Sequence, residues 1–204
     1  MSNLVFTPGV AAPQRTLLIL GPARSKTSFL AGMLHFGGIH FDQSTPTFED
    51  LPLSEAMERH DTTAFDAILE DRNRRDSWGW KRPSIGGYWN EVVPKLRMPH
   101  AIMLTRDVTA IALRAQIAHA GQPRVSLPEL QRKMLVNLNI QRNLMKKAAD
   151  SGIPLMCVSA EKMSAAPVET ARACAAFFHH DLDTAPVEDF IAQGNAAYED
   201  YARD

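Results

Sequence analysis

The segment Gly21-Pro-Ala-Arg-Ser-Lys-Thr-Ser28 gathers a glycine, two cations and three hydroxyls into eight residues. Those residue types suit a phosphate or a sulfate. Gly21 permits a tight turn, Arg24 and Lys26 bring positive charge, and Ser25, Thr27 and Ser28 bring hydroxyl donors. The apolar run Arg15-Thr-Leu-Leu-Ile-Leu20 ahead of it reads as a buried strand. Behind it, Phe29, Leu30, Met33 and Leu34 recur at helical spacing, so a helix is expected to start near Ser25. A strand-to-helix turn of this kind aims backbone N–H groups and the positive end of a helix dipole at one spot. The plain alternative is an ordinary turn with solvent-facing cations. The spacing departs from the nucleoside-triphosphate loop, G-x-x-x-x-G-K-[ST]. Lys26 follows Gly21 by five positions rather than six, and Ser25 stands where the second Gly belongs.

A second cation closes a second apolar run. His100-Ala-Ile-Met-Leu-Thr-Arg-Asp107 reads as a strand ending in Arg106, with Asp107 as N-cap of the next helix. Ligands gather at strand C-termini in open parallel sheets, and an Arg there can grip an anion through two parallel bonds. A surface ion pair is the plain reading. Metal chemistry finds little support. His179 and His180 are adjacent and cannot face one point of a helix, the other His are scattered, and the two Cys form no C-x-x-C. No G-x-S-x-G elbow occurs.

These groups need elements to hold them. Pro154-Leu-Met-Cys-Val158 is a third clear strand, and Trp78-Gly-Trp80 a short fourth. Helices are expected over Leu53–Asn73, Gly87–Leu96, from Asp107 to His119, along a long amphipathic stretch of 127–149, from Pro167 to Phe178 and from Pro186. Residues 42–52 read as an irregular loop and 121–124 as a turn. Strands alternating with helices predict an α/β fold. It has three layers of P-loop type, a small central parallel sheet flanked by helices. Residues 1–14 read as an N-terminal arm and 15–204 as one domain.

Composition sets the outer bounds. With 204 residues, a core needs no disulfide or metal staple. Lys plus Arg number 22 against 23 Asp plus Glu, so a net charge of −1 argues against a polybasic nucleic-acid binder. Basic and aromatic residues are not interleaved as an RNA platform requires. No apolar run is long enough to span a membrane, and no secretory signal is visible. Cys157 and Cys174 fall in apolar contexts and read as reduced, buried thiols, so a cytoplasmic compartment is expected.

The stretch Leu18-Ile-Leu-Gly-Pro-Ala-Arg-Ser-Lys-Thr-Ser28 resembles the 5′-phosphosulfate loop of PAPS-dependent sulfotransferases, G-x-P-R-S-G-T-S. Arg24-Ser25 and Thr27-Ser28 match, whereas Ala23 stands where Pro is usual and Lys26 where Gly is usual. Bacterial members carry a strand ending R-D-P, with a Ser eight residues after the Arg. Those two residues hold the 3′-phosphate. Arg106 matches, Val108 replaces the Pro, and Arg114 occupies the Ser position. Thr47-Phe-Glu-Asp50 is similar to G-Y-F-E, which makes Glu49 the candidate base, with Glu55, Glu58 and His40 behind it. Trp78-Gly-Trp-Lys81 resembles W-G-W-K, but Arg82-Pro83-Ser84 follows where D-P-R is usual. Glu161 matches the Glu of a C-terminal Y-E-D-L, with Ala160 for the Tyr. The resemblance spans about residues 15–185.

It implies a sulfotransferase that takes PAPS as donor, releases PAP and needs no metal. Cofactor binding would fall to Gly21, Arg24, Ser25, Lys26, Thr27, Ser28, Arg106 and Arg114. Catalysis would fall to Glu49, Arg24 and Lys81. Each has a plain alternative: Glu49 an exposed loop carboxylate, Lys81 a solvated cation beside Arg82. Trp78, Trp80 and Trp89 could shape an acceptor pocket or fill the core. Arg72, Arg74 and Arg75 could attract an anionic acceptor or form a solvated helix end. The acceptor is a small molecule or glycan of unknown identity, with no nucleic acid or membrane partner, and oligomeric state stays open. Two other readings remain: a non-catalytic binding protein on the same fold, and a nucleotide-dependent phosphotransferase.

Overall fold

A computed structural model of the chain describes residues 3–120 and 126–194, with the backbone alone over 115–120. The apolar runs become strands β2 (Arg15–Leu20), β3 (Ser77–Lys81), β4 (Pro99–Thr105) and β5 (Leu155–Ser159), all mutually parallel. A further strand, β1 (Leu4–Thr7), pairs antiparallel with β5, and the order across the sheet is β1-β5-β4-β2-β3. The sheet is therefore mixed rather than purely parallel, and part of the segment read as an arm belongs to it. Leu4, Val5 and Phe6 stay exposed, so β1 shows none of the burial of the central strands.

Helices cover both faces. Leu17 and Ile19 of β2 point to one face, packed by α1 (Thr27–Phe36), α7 (Ala160–Ala165), α8 (Pro167–Phe177) and α9 (Thr184–Gln193). Leu18 and Leu20 point to the other, packed by α2 (Leu51–Glu58), α3 (Thr62–Arg72), α4 (Trp89–Val92) and α6 (Leu127–Asp150). Helix α5 (Val108–Ala120) lies along α6. Trp78, Trp80 and Trp89 fill this second core, which settles them as packing residues. Gly79 is glycine because the tip of the Phe41 ring sits against it: a Cβ there would lie 2.0 Å from Cζ. Cys157 and Cys174 are buried, and burial pushes their thiols up to about 11 and about 12. Among the described residues, no helix is long and apolar enough to cross a membrane.

Several boundaries differ from the sequence reading. Helix α1 starts at Thr27 rather than Ser25, because Lys26 adopts a left-handed conformation. The helix expected over Leu53–Asn73 is two helices. His60 turns left-handed at φ 55° and Asp61 caps a fresh start by accepting from the Ala64 N–H at 3.0 Å. Leu51–Glu58 begins earlier than expected, because the Asp50 carboxylate accepts from the Leu53 N–H. The helix expected over Gly87–Leu96 is reduced to α4 between two 3₁₀ turns, Pro83–Gly87 and Val93–Lys95. Helix α7 falls outside the helices that the spacing predicts, and α9 starts two residues before Pro186. The turn expected at 121–124 lies outside the described residues.

His100 shows how tightly β4 is held. It is fully buried; its Nε2 accepts from the Val10 N–H at 2.9 Å and its Nδ1–H donates to the Met98 carbonyl at 2.8 Å. Burial lowers its pKa below the usual histidine value, and His35 and His40 shift the same way for the same leading reason. A neutral folded ring and an unfolded ring that takes a proton below about pH 6.5 make stability fall as pH falls through that value. The denaturant midpoint is expected to drop between pH 7.5 and 5.5. The drop should shrink in His100→Gln, which cannot titrate but keeps a donor and an acceptor. An unchanged drop would exclude His100 as a contributor.

Candidate active site

The strand register places every parallel C-terminus on one edge. Ile19 lies beside Lys81, Leu20 beside Met103, and Thr105 beside Ser159. The chain leaves β2 towards β3 and leaves β4 towards β5, so the crevice outside the ends of β2 and β4 is the topological switch point, where open α/β sheets bind ligands. The Gly21–Ser28 loop and Arg106 flank that crevice.

The loop is shaped for an anion. Arg24 and Lys26 both hold positive φ, 69° and 66°, a conformation unfavourable for L-residues with a side chain. Alternation of this kind turns successive N–H groups inward. The first helical bond of α1 runs from the Leu30 N–H to the Lys26 carbonyl at 3.2 Å, which leaves the N–H groups of Thr27, Ser28 and Phe29 ahead of it without an intrahelical acceptor. The Lys26 side chain has no acceptor to cap them. The Ser25 hydroxyl is fully buried, and among the described residues it has no hydrogen-bond partner. It hangs over Gly21, where an added Cβ would approach it to 2.6 Å. An orphaned hydroxyl, open N–H groups and a cradle that a side chain would fill all fit a bound phosphate or sulfonate. Thr27 and Ser28 are buried beside them.

Arg106 ties the two strand ends together. Its guanidinium donates to the Arg24 carbonyl at 2.5 Å across the crevice. Its backbone is clamped by one amide of α6: the Arg106 N–H donates to Gln141 Oε1 and Gln141 Nε2 donates to the Arg106 carbonyl, both at 3.2 Å. Gln141 is buried on the apolar face of α6, and a polar residue in such a stripe is the signal that could have marked it. Asp107 accepts from the Ala110 N–H at 2.7 Å, while its own N–H donates to Glu161 at 3.1 Å. Burial works to raise the Glu161 pKa, but that bond, one from Ser159 and the Arg106 charge outweigh it and hold the carboxyl below its usual value. Arg114 stands exposed on α5, within electrostatic reach of Lys26.

A second cluster sits beside the loop, at the end of β3. Glu49 is not an exposed loop carboxylate: its side chain is 12% accessible, and its two oxygens accept from Lys81 Nζ and Arg82 Nη1, each at 2.5 Å. Lys81 is 4% accessible rather than solvated. Burial lowers its pKa despite the pull of Glu49. Arg82 is shared, with a bidentate contact at 2.8 Å to the two oxygens of Glu58. Phe48 turns left-handed at φ 57° just before Glu49, and Asp50 just after it caps α2 and accepts from Arg72 Nε at 2.6 Å. The carboxylate is thus fixed from both sides. Among the described residues Glu55 pairs only with Arg59, and Arg74 lies exposed beside Asp71, so neither faces this cluster. Among the described residues, no group of three or more His, Cys, Asp or Glu converges for a metal.

No protein-family model and no curated protein matches the sequence. Solved structures do match in shape. A sulfotransferase from Alicyclobacillus acidocaldarius is 17% identical, with 86% of each chain covered and a TM-score of 0.53. A sulfotransferase domain from the Synechococcus PCC 7002 olefin synthase is 15% identical, covering 88% of this chain and 78% of its own, at a TM-score of 0.57. A sulfotransferase domain from the curacin biosynthetic pathway is 14% identical, covering 88% and 76%, at 0.54. At these identities the likeness speaks for architecture. The five-stranded sheet with helices on both faces, with a strand–loop–helix turn at its centre, is the sulfotransferase fold.

Proposed function

We propose that the protein transfers a sulfuryl group from PAPS to a hydroxyl or amine of a small-molecule or glycan acceptor. The observation that carries this reading is the Arg106–Arg24 bridge. It joins a cradle for one anion to a cation placed for a second, across the switch-point crevice. A donor with a 5′-phosphosulfate and a 3′-phosphate presents two anions of that kind.

When bound, the donor supplies a sulfuryl group open to in-line displacement by the acceptor oxygen or nitrogen, with PAP leaving. Such transfers rest on alignment and positive electrostatics more than on covalent help from the protein. The N–H groups of Thr27, Ser28 and Phe29 and the Ser25 hydroxyl hold the anion nearest α1. Arg24, whose side chain makes no hydrogen bond or ion pair among the described residues, is free to turn to it. Glu49 takes the acceptor proton at a carboxylate oxygen. Each oxygen keeps a second lone pair beyond its bond to Lys81 or Arg82. Lys81, desolvated and held by Glu49, would supply a positive charge on the same side as the base.

A thermal-shift panel tests the reading, since a ligand stabilises by RT ln(1 + [L]/Kd). PAP and PAPS are expected to raise the midpoint without metal, and ATP or GTP with Mg²⁺ to leave it in place. A response to ATP with Mg²⁺ alone would point to the phosphotransferase. Silence towards every nucleotide would leave the non-catalytic binding protein. An acceptor screen with PAPS then reads transfer itself.

A further inference from the structure

Lys26 is the residue of the loop that fits least well where it stands. It holds a left-handed conformation at the N-cap of α1, where a side chain is costly and where a Lys cannot cap. Its side chain does not turn back to the N–H groups of its own loop. It reaches to α7, where Nζ donates to the Ser164 hydroxyl at 2.6 Å. Ser164 in turn donates to the Ala160 carbonyl at 2.7 Å. Strand β4 lies between β2, which leads into Lys26, and β5, which leads into α7. The Lys26 side chain therefore spans from the outlet of β2 to that of β5, within electrostatic reach of Arg106. A neutral hydroxyl is a weak partner for an ammonium, compared with the charged oxygens of a phosphate. Glu161, a carboxylate whose charge acts on Lys26, already accepts from the Asp107 N–H and from Ser159. Burial and then the charges of Arg106 and Arg114 lower the Lys26 pKa, so three cations share this region.

We propose that Lys26 belongs to the second anion subsite rather than to the loop's own, and that it leaves Ser164 to bind, with Arg106 and Arg114, the phosphate that distinguishes a 3′-phosphorylated adenosine nucleotide from its 5′-only counterpart. The inference rests on the PAPS reading and assigns this chain's own Lys a part of that ligand. Because the departures at Lys26 and Arg114 fall on one subsite, they compensate each other: a small hydroxyl is absent from α5, and a long cation enters from the loop ahead of α1.

Calorimetric titration with PAP and with AMP, on the wild type, Lys26→Gly and Ser164→Ala, tests it. The glycine variant suits the left-handed backbone, so its fold survives, and a melt confirms this. Lys26→Gly is expected to weaken PAP about tenfold or more and AMP less than threefold, as loss of a charge-assisted bond to the 3′-phosphate requires. Ser164→Ala frees the ammonium and is expected to bind PAP as tightly as the wild type or more tightly. Equal losses for PAP and AMP in Lys26→Gly would return Lys26 to the first subsite and overturn the inference. So would an unchanged PAP affinity in that variant, or a loss in Ser164→Ala as large as in Lys26→Gly. Wild-type protein that binds no PAP at all would instead overturn the PAPS reading, and this inference with it.

Discussion

Glu49→Gln is expected to cost the protein stability and, on the sulfuryl-transfer reading proposed above, transfer activity. Lys81 has Glu49 as its one ion-pair partner among the described residues, at 4% side-chain accessibility, so the substitution strands a buried ammonium. Breaking a buried pair from one side costs about 3 kcal/mol. For a chain of this length that is roughly 6–12 °C in the thermal midpoint. Arg82 keeps its bidentate partner Glu58 and contributes little to the loss. The pH dependence has a definite sign. Burial already lowers the Lys81 pKa from 10.5, and loss of the carboxylate removes the force opposing that shift. Between the depressed folded value and the unfolded one, the unfolded chain binds more protons, so stability rises with pH. The deficit of Glu49→Gln should therefore shrink from pH 7 to pH 9. Transfer activity is expected to fall by about 10²-fold or more at every pH where the variant is folded, as loss of a general base requires. A folded Glu49→Gln protein with full activity would remove Glu49 from the chemistry and leave it a purely structural counter-ion.

On the same reading, Arg106→Ala acts on binding. The variant loses a cation at the crevice and also the donor that ties the Arg24 carbonyl to the end of β4. Hydrogen bonds to charged groups contribute about 1.5–3 kcal/mol each. PAP affinity is expected to fall about 100-fold, at about 1.4 kcal/mol per decade. In a thermal shift at a PAP concentration that moves the wild type well above its baseline, the variant should move hardly at all. Its melt without ligand should stay close to wild type, because Gln141 still clamps the backbone on either side of residue 106. An undiminished PAP shift in Arg106→Ala would place the nucleotide elsewhere.

The parts that could be read in advance are those whose information is local. Strand β2, the glycine turn and α1 lie within one continuous stretch, and apolar runs mark β4 and β5 as buried on both faces. Strand β1 was hidden because its apolar residues are exposed and its segment is rich in Pro and Gly, so neither alternation nor burial marks it. The break between α2 and α3 was hidden because His60 adopts a left-handed turn with no glycine to announce it. In the site, residue types and order pointed to Arg106 and the loop. What sequence could not supply were the long-range partners: Lys81 and Arg82 for Glu49, Gln141 for Arg106, Ser164 for Lys26. These partners decide whether a carboxylate is solvent-exposed or clamped, and whether a cation is free or parked.

The same distances have a kinetic consequence. The bridge from Arg106 to Arg24 closes across 82 residues, and the one from Lys26 to Ser164 across 138. Contacts so far apart form only once loop-closure entropy has been met by sheet pairing, which places them late on the folding path. A chain with β2 and α1 formed but β4 and β5 not yet docked lacks both bridges, and on the proposed reading binds its anion poorly. An anion that binds the finished crevice therefore acts after the rate-limiting step of folding. It should slow unfolding in proportion to its occupancy and leave the refolding rate where it was.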